Sequence, residues 1–211
     1  RLARVFLAII LSGFGLGCND TAFTAATFVP QSLGPDPIAP TVCDPFGGGG
    51  VTTKQNGIEA KLTYLPANAT AIATGLSTAS FEPTAPDVVV SPVRLILSQL
   101  NVSTRPFTEG FVVKDSGDKL VDLNGEVLDE YFSVRGDSNL ALGPSDPEGD
   151  YELALLSDDG STLDLDPNGT GTFERWVDAD GTHANGLLCS AKTLHLSAGQ
   201  QVPMKVNYYQ G

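Results

Sequence analysis

The stretch YELALLSDDGSTLDLD, residues 151–166, decides the fold of this chain. Apolar residues occupy every second position on both sides of the break Asp158-Asp159-Gly160. This alternation predicts two half-buried β-strands joined by a tight turn. Such a turn needs only one aspartate, so two adjacent like charges indicate a second role for the pair.

The same alternation recurs along the chain. In GIEAKLTYL the residues Ile58, Ala60, Leu62 and Tyr64 fall on one face of a predicted strand. Turn signals rich in Gly, Asn, Asp and Pro separate the segments, and no stretch of a dozen residues holds a helical period free of Gly and Pro. The predicted strands are 57–65, 92–102, 130–136, 151–157, 161–166, 172–177, 192–197 and 201–209. Short strands at this spacing predict an all-β fold, an antiparallel β-sandwich or barrel.

The last predicted strand, QVPMKVNYY, carries a proline near its start. Val202, Met204, Val206 and Tyr208 should point inward, and Pro203 outward. Because proline donates no hydrogen bond to a ladder, we expect either an edge strand or a strand start here.

Size and charge limit the classes of protein. A chain of 211 residues is long enough for one well-packed domain and an N-terminal extension. The formal net charge is -13, so nucleic acids and anionic lipid surfaces are repelled at long range. Cations are the natural partners of such a surface.

The N-terminus has the order of a secretory signal. Arg1 and Arg4 precede an apolar run, and small residues lead to Cys18. The apolar core is about a dozen residues, against the roughly 20 needed to cross a bilayer. We therefore predict a signal peptide at 1–17 and lipidation of Cys18, as at bacterial lipoprotein cleavage sites, with simple secretion as the alternative.

The next segment, 18–56, is predicted to be a disordered tether. Prolines at 30, 35, 37, 40 and 45 and the run GGGG at 47–50 oppose both helices and ladders. If Cys18 carries lipid, Cys43 and Cys189 remain as an even pair in an oxidising compartment. We expect a disulfide between them, with two unpaired thiols as the alternative.

Three motifs in order carry a resemblance to a known family. YELALLSDDGSTLDLD, VDADGTHA and LHLSAGQQVPMKVNYYQG resemble the protective-antigen-14-type (PA14) domain, a β-sandwich/barrel module of bacterial toxins, glycosidases, adhesins and yeast flocculins. The segment from 91 through EYFSVRG looks like the first half of this domain in bacterial surface lipoproteins. The resemblance covers 57–211. The family continues past the last strand, so we expect a domain truncated at its C-terminus.

The resemblance implies a metal site. In the calcium-dependent lectin members, two consecutive aspartates joined by a cis peptide and a side-chain amide from a later strand hold the ion, which binds two sugar hydroxyls. The matching positions here are Asp158, Asp159 and Gln210. Calcium prefers such hard oxygen ligands. The alternative is that the two acids cap a hairpin turn by hydrogen bonds.

Further candidates surround this site in the sequence. The loops near 178–185 are expected to shape ligand specificity, and the lone tryptophan could stack on a sugar ring, although turn capping and core packing are the alternatives. The predicted ligand-binding residues are Asp178, Asp180, His183, Asn185 and Trp176.

A second calcium loop is less well supported. DLDPNGTGTFE has Asp164, Asp166 and Asn168 at the spacing of a calcium loop, but Glu174 falls one position early, so a hairpin turn is favoured.

His195 is expected at an exposed strand position. Zinc spacings, a nucleophile elbow, a phosphate-binding loop and a dinucleotide fingerprint are absent from the sequence. We therefore expect no enzyme, with an enzyme or an accessory domain of one as the third hypothesis.

Together these features predict a calcium-dependent carbohydrate-binding or adhesion module of a bacterial surface lipoprotein. Its partner would be a glycan or glycoprotein, its only membrane contact an N-terminal lipid anchor at the cell envelope, and it would not bind nucleic acid. The alternative is a structural or protein-binding envelope domain without a working sugar site.

Overall fold

The protein is mostly antiparallel β-sheet with almost no helix, as the alternating pattern predicts. The computed structural model describes residues 7–13, 24–25, 28–29, 41–42, 58–97 and 118–211. The strands are β1 (Leu7–Gly13), β2 (Thr24–Ala25), β3 (Phe28–Val29), β4 (Thr41–Val42), β5 (Ile58–Tyr64), β6 (Val89–Leu97), β7 (Phe132–Leu140), β8 (Gly149–Ser157), β9 (Ser161–Leu165), β10 (Glu174–Ala179), β11 (Gly186–Leu196) and β12 (Val202–Gln210). The helical segments are α1 (Thr70–Thr74) and a 3₁₀ turn (Thr78–Phe81). Among the described residues, no helix has the length and apolarity needed to span a membrane.

The strands form two sheets. The first has the order β11-β8-β1-β2, and the second has the order β10-β9-β12-β7-β5-β6-β4, with β3 pairing beside β7. β8 and β9 are consecutive in the chain but lie in different sheets. The turn between them, residues 158–160, therefore crosses from one sheet to the other at the edge of the core.

The main core lies between the two sheets. Tyr151, Leu153 and Leu155 of β8 pack there against the inward residues of β5, β7, β9 and β12. Leu153 and Leu155 are fully buried, and each such side chain contributes about 2 kcal/mol relative to exposure. The alternation of the opening stretch is thus the alternation of a strand with one face on this core.

The inward residues of β5 and β12 were predicted correctly. Ile58, Ala60, Leu62 and Tyr64 are buried, and so are Val202, Met204, Val206 and Tyr208. The edge alternative for Pro203 is wrong, because β12 pairs with β7 on one side and with β9 on the other. Pro203 is the second residue of the strand, and its carbonyl oxygen accepts from the N–H of Asp166 at 2.9 Å, just beyond the pairs with β9 that begin at Met204. Proline therefore removes at most one bond, at the end of that ladder.

A second, smaller core covers the outer face of the larger sheet. The segment between β5 and β6 folds over the end of β12, where Tyr209 points away from the main core and is fully buried. The ring of Tyr209 stacks on Phe81 with the centroids 5.3 Å apart. The sequence pattern predicts no helix or strand in this segment. Both faces of β12 are consequently buried at its C-terminal end.

The N-terminal predictions stay predictions. Most of the signal peptide (1–17) and of the tether (18–56) lies outside the described residues, and so do Cys18 and Cys43. Cys189 is half-buried in β11. Lipidation of Cys18 and the Cys43–Cys189 disulfide are therefore taken up below as proposals.

Candidate functional site

Two adjacent aspartates form the turn between β8 and β9. The peptide bond between Asp158 and Asp159 is cis, as the resemblance implies. Asp159 is buried, with 5% of its surface exposed, whereas Asp158 is half-buried. Burial first, and then the charge of Asp159, raise the pKa of Asp158 above its ordinary value, although a hydrogen bond from the backbone of Asn185 and the nearby His183 lower it. The turn therefore concentrates negative charge that a cation would relieve.

Asp159 connects three parts of the chain that are far apart in sequence. Its Oδ1 accepts a hydrogen bond from the backbone N–H of His183 at 3.1 Å. Its Oδ2 accepts hydrogen bonds from the backbone N–H of Gly211 at 2.9 Å and from Nε2 of Gln210 at 3.3 Å. The end of β12 and the loop before β11 thus converge on one buried carboxylate.

Gln210 is buried beside this carboxylate, with 3% of its surface exposed. Its Nε2 also donates to the Gly211 carbonyl oxygen at 3.1 Å, and its Oε1 accepts from the Tyr208 hydroxyl at 2.9 Å. The resemblance implies that Gln210 lies next to the aspartates, and the structure brings it there. The amide presents its nitrogen to Asp159, so its role as an oxygen ligand stays a prediction.

Tyr208 belongs both to the core and to the site, although the alternation of its strand predicts only a core position. Its hydroxyl lies 2.9 Å from the Asp158 carbonyl oxygen and 2.9 Å from Oε1 of Gln210. Burial, followed by the charges of Asp159 and Asp158, raises the pKa of Tyr208 well above its ordinary value, so the hydroxyl keeps its hydrogen. One signal was available, because residues two apart on a strand share a face, as 208 and 210 do.

The third residue of the turn is Gly160, and its surroundings leave no room for a side chain. A Cβ atom at this position would lie 2.2 Å from Cε1 of Tyr209 and 3.0 Å from the Gly181 carbonyl oxygen. The backbone N–H of Tyr209 donates to the Gly160 carbonyl oxygen at 2.9 Å. Glycine is therefore needed because an aromatic ring rests directly on the turn.

One known family matches the part of the chain that carries this site. Residues 144–211 match the sequence model of the PA14 domain. The matched segment contains the whole of the site described so far, from the aspartate pair to Gln210. The resemblance identified from the sequence is thereby confirmed for this segment. No curated protein matches the chain.

PA14 domains are often linked to carbohydrate binding or adhesion and are typically binding modules rather than catalytic domains. The match begins before β8 and ends after β12. Residues 144–211 are less than half of the 211-residue chain. β5, β6 and β7, with the helical segment, precede the matched residues and complete the larger sheet around β12.

Asp180 lies at the rim of this site, and its carboxylate accepts three hydrogen bonds. Its Oδ1 accepts from the backbone N–H groups of Thr78 at 2.7 Å and of Gly181 at 2.8 Å, and its Oδ2 accepts from the Thr78 hydroxyl at 2.8 Å. The carboxylate thus fixes the 3₁₀ turn against the loop of the site. This supports the turn-capping alternative for Asp180, with a partner that the sequence did not reveal.

His183 and Asn185 hold the aspartates through their backbones. The ring of His183 places Nε2 2.9 Å from the Ala179 carbonyl oxygen and Nδ1 2.9 Å from that of Ala184. Burial alone would lower the pKa of His183, but the two carbonyls and the charges of Asp159 and Asp158 raise it. Two carbonyl acceptors suit an imidazolium, which donates from both nitrogens. Both ring nitrogens of His183 therefore have backbone carbonyl oxygens as partners.

Asp178 and Trp176 lie on β10. Asp178 is exposed and accepts from Nη1 of Arg175 at 3.0 Å. Trp176 packs against the main core with Nζ of Lys192 5.1 Å from its ring centroid, which agrees with the core alternative. The proposed contacts of both residues with a sugar stay predictions.

The loop suggested as a second calcium site is a capped turn. Oδ1 of Asp166 accepts from the backbone N–H of Thr170 at 3.0 Å, and Oδ2 accepts from that of Gly171 at 2.6 Å. Within the described ranges, no group of three or more His, Cys, Asp or Glu side chains could hold a metal ion. A cation at the turn 158–160 would take further ligands from the Gln210 amide, backbone carbonyls or water. His195 is exposed on β11, as expected.

Proposed function

We propose that the β domain at 57–211 is a calcium-dependent carbohydrate-binding or adhesion module. The observation that supports this proposal is the meeting of Asp159 and Gln210, whose Oδ2 and Nε2 atoms are 3.3 Å apart although the residues are 51 positions apart in the chain. A buried carboxylate, a second acid and a side-chain amide thus share one end of the domain.

The available donors fit calcium. Calcium takes 6 to 8 hard oxygen ligands from carboxylates, amides and backbone carbonyls. Asp158 and Asp159 supply carboxylates, Gln210 supplies an amide, and the Gly211 carbonyl oxygen lies 3.1 Å from that amide. When bound, calcium supplies open coordination positions that two neighbouring sugar hydroxyls can occupy.

The residues around the site orient these ligands. Backbone N–H groups of His183 and Asn185 direct the carboxylates of Asp159 and Asp158. Thr78, held by Asp180, brings the segment between β5 and β6 to the same rim. The loop 180–185 and this segment are therefore the surfaces that would select among sugars.

The cellular context is part of the same proposal. We propose that Cys18 is lipidated, that 18–56 spaces the domain from a bacterial envelope, and that Cys43 and Cys189 form a disulfide. Glycans or glycoproteins are the expected partners, and the net charge of -13 disfavours nucleic acid. The lipid anchor would be the only contact with the membrane.

One observation favours the alternative, a structural or protein-binding envelope domain. The carboxylate of Asp159 accepts hydrogen bonds from His183, Gly211 and Gln210. These donors can satisfy a buried carboxylate without a cation. In that case the acid pair would act as a cap that joins β12 to the turn.

Calorimetric titration of the full chain with calcium separates the two functions. A free ligand concentration of about 100 times the Kd stabilises the folded protein by about 2.7 kcal/mol. Calcium at that concentration should therefore raise the melting temperature by several degrees. Asp159→Asn should abolish this rise, whereas Asp166→Asn, in the turn at the other end of β9, should keep it. A glycan array in calcium and in EDTA then tests for sugar. No response to millimolar calcium would favour the alternative.

A further inference from the structure

The hydroxyl of Tyr208 faces more acceptors than it can serve. It lies 2.9 Å from the Asp158 carbonyl oxygen and 2.9 Å from Oε1 of Gln210, and both are acceptors. A phenolic hydroxyl has one hydrogen, so it cannot donate a full hydrogen bond to both oxygens. In this arrangement one of the two acceptors lacks the hydrogen of the hydroxyl.

Rotation of the Gln210 amide by 180° removes this conflict. The rotation exchanges Nε2 and Oε1 without changing the shape of the side chain. Nε2 would then donate to the Tyr208 hydroxyl oxygen, and Tyr208 would donate its one hydrogen to the Asp158 carbonyl. The hydroxyl hydrogen and one of the two Nε2 hydrogens would then each have one acceptor.

The same rotation changes what Gln210 presents to Asp159. Before the rotation, Nε2 lies 3.3 Å from Oδ2 of Asp159 and 3.1 Å from the Gly211 carbonyl oxygen. After rotation, Oε1 would occupy this position, and three oxygens would converge. These oxygens repel one another unless a cation lies among them, and they are the ligand types that calcium accepts.

We propose that Tyr208 is a positioning residue that allows Gln210 to turn its amide oxygen toward a calcium ion. This inference rests on the calcium site of the proposed function. The hydroxyl serves both orientations, because it donates to Oε1 in one and accepts from Nε2 in the other. Tyr208 thus keeps a hydrogen bond to Gln210 both in the metal-free orientation of the amide and in the metal-binding one. It does not contact the ion itself.

The test compares two tyrosine variants of the full chain by calorimetric titration with calcium. Tyr208→Phe keeps the ring, whose edge-to-face contact with Phe132 has centroids 6.3 Å apart, and removes the hydroxyl. Loss of one hydrogen bond should weaken calcium affinity about fivefold to tenfold. Tyr209→Phe is the matched control, because its hydroxyl bonds to Leu76 and Thr182 instead. Its calcium affinity should equal that of the wild type.

Two further measurements separate positioning from a merely structural role. Melting temperatures in EDTA report the stability loss of each variant, and the fall in affinity of Tyr208→Phe should not follow that loss. In a Gln210→Ala background, Tyr208→Phe should have no further effect on calcium affinity, because Tyr208 acts through the amide. NMR should show Gln210 Nε2 protons moving toward the Tyr208 ring when calcium is added.

The outcomes are distinct. If the wild type binds calcium and Tyr208→Phe binds it equally well, the role of Tyr208 is refuted and the calcium site stands. An equal loss in the Gln210→Ala background also refutes it. If the wild type binds no calcium, the proposed function fails and takes the role of Tyr208 with it.

Discussion

Thr78 and Asp180 are 102 positions apart in the chain and are joined by two hydrogen bonds, from the backbone N–H at 2.7 Å and from the hydroxyl at 2.8 Å. Asp180 therefore fastens the segment between β5 and β6 to the loop that carries His183. Through Leu76, whose carbonyl accepts from the Tyr209 hydroxyl at 3.1 Å, the same segment also covers the end of β12.

Removal of this clamp should destabilise the domain. Asp180→Ala removes an acceptor of three hydrogen bonds, and we expect a loss of about 1 to 2 kcal/mol of unfolding free energy. Thermal unfolding followed by circular dichroism measures the change. Asp178→Ala is the control, since its exposed ion pair with Arg175 contributes less than about 1 kcal/mol. Equal losses in both variants would contradict a specific clamp.

Gly160→Ala should damage the site through sterics. The added Cβ would lie 2.2 Å from the ring of Tyr209, which is packed on Phe81 and has little room to move. Overpacking of this kind is expected to lower the unfolding free energy by about 1 to 3 kcal/mol. Chemical denaturation measures it. Gly186→Ala is the matched control, because its Cβ would meet only ordinary contact at 3.5 Å. A tolerated Gly160→Ala would show that Tyr209 can shift.

Asp158→Asn should separate stability from calcium binding. Asparagine removes one of two adjacent like charges at a partly buried turn, so the melting temperature in EDTA should stay the same or rise. The increase in melting temperature on addition of calcium should disappear, since a carboxylate ligand is lost. Differential scanning fluorimetry in EDTA and in calcium checks both. A retained calcium response would remove Asp158 from the ligand set.

Asp166 should make stability depend on pH. Burial by itself would raise the pKa of Asp166, but hydrogen bonds from Gly171, Thr170 and Gly169 lower it below its ordinary value. A lowered folded pKa means that the stabilisation is present above the unfolded pKa and is lost as pH falls through the folded pKa. Asp166→Asn should therefore melt at a lower temperature at neutral pH, and the difference should shrink in acid. Melting curves from pH 7 down to about pH 2 measure it. A constant difference would contradict this account.

Much of the fold could be predicted from local pattern. The alternation in 57–65 and 201–209 identified which side chains of β5 and β12 face the core, because a strand with one buried face needs a period of two. The sequence could not distinguish an edge strand from a strand start at Pro203, because both positions tolerate a residue without an N–H donor. The segment between β5 and β6 was missed because its short helices have no repeating apolar face.

The candidate site divides in the same way. Asp158, Asp159 and Gln210 were found because a motif resemblance fixes positions in sequence. The partners of the Tyr208 hydroxyl and of the Asp180 carboxylate were not predicted, because they come from other strands and loops. Hydrogen bonds across such distances leave no spacing signal in a single chain.

The sequence by itself determined a β-sandwich with an acidic turn between two alternating strands, because period-two burial and tight turns are properties of neighbouring residues. Only the tertiary structure decided that β12 is an interior strand, that Tyr209 rests on Gly160, and that Gln210 directs its amide nitrogen to Asp159. These relationships depend on which surfaces meet when the sheets pack, and packing brings together groups whose separation in the chain is unrelated to their distance in space.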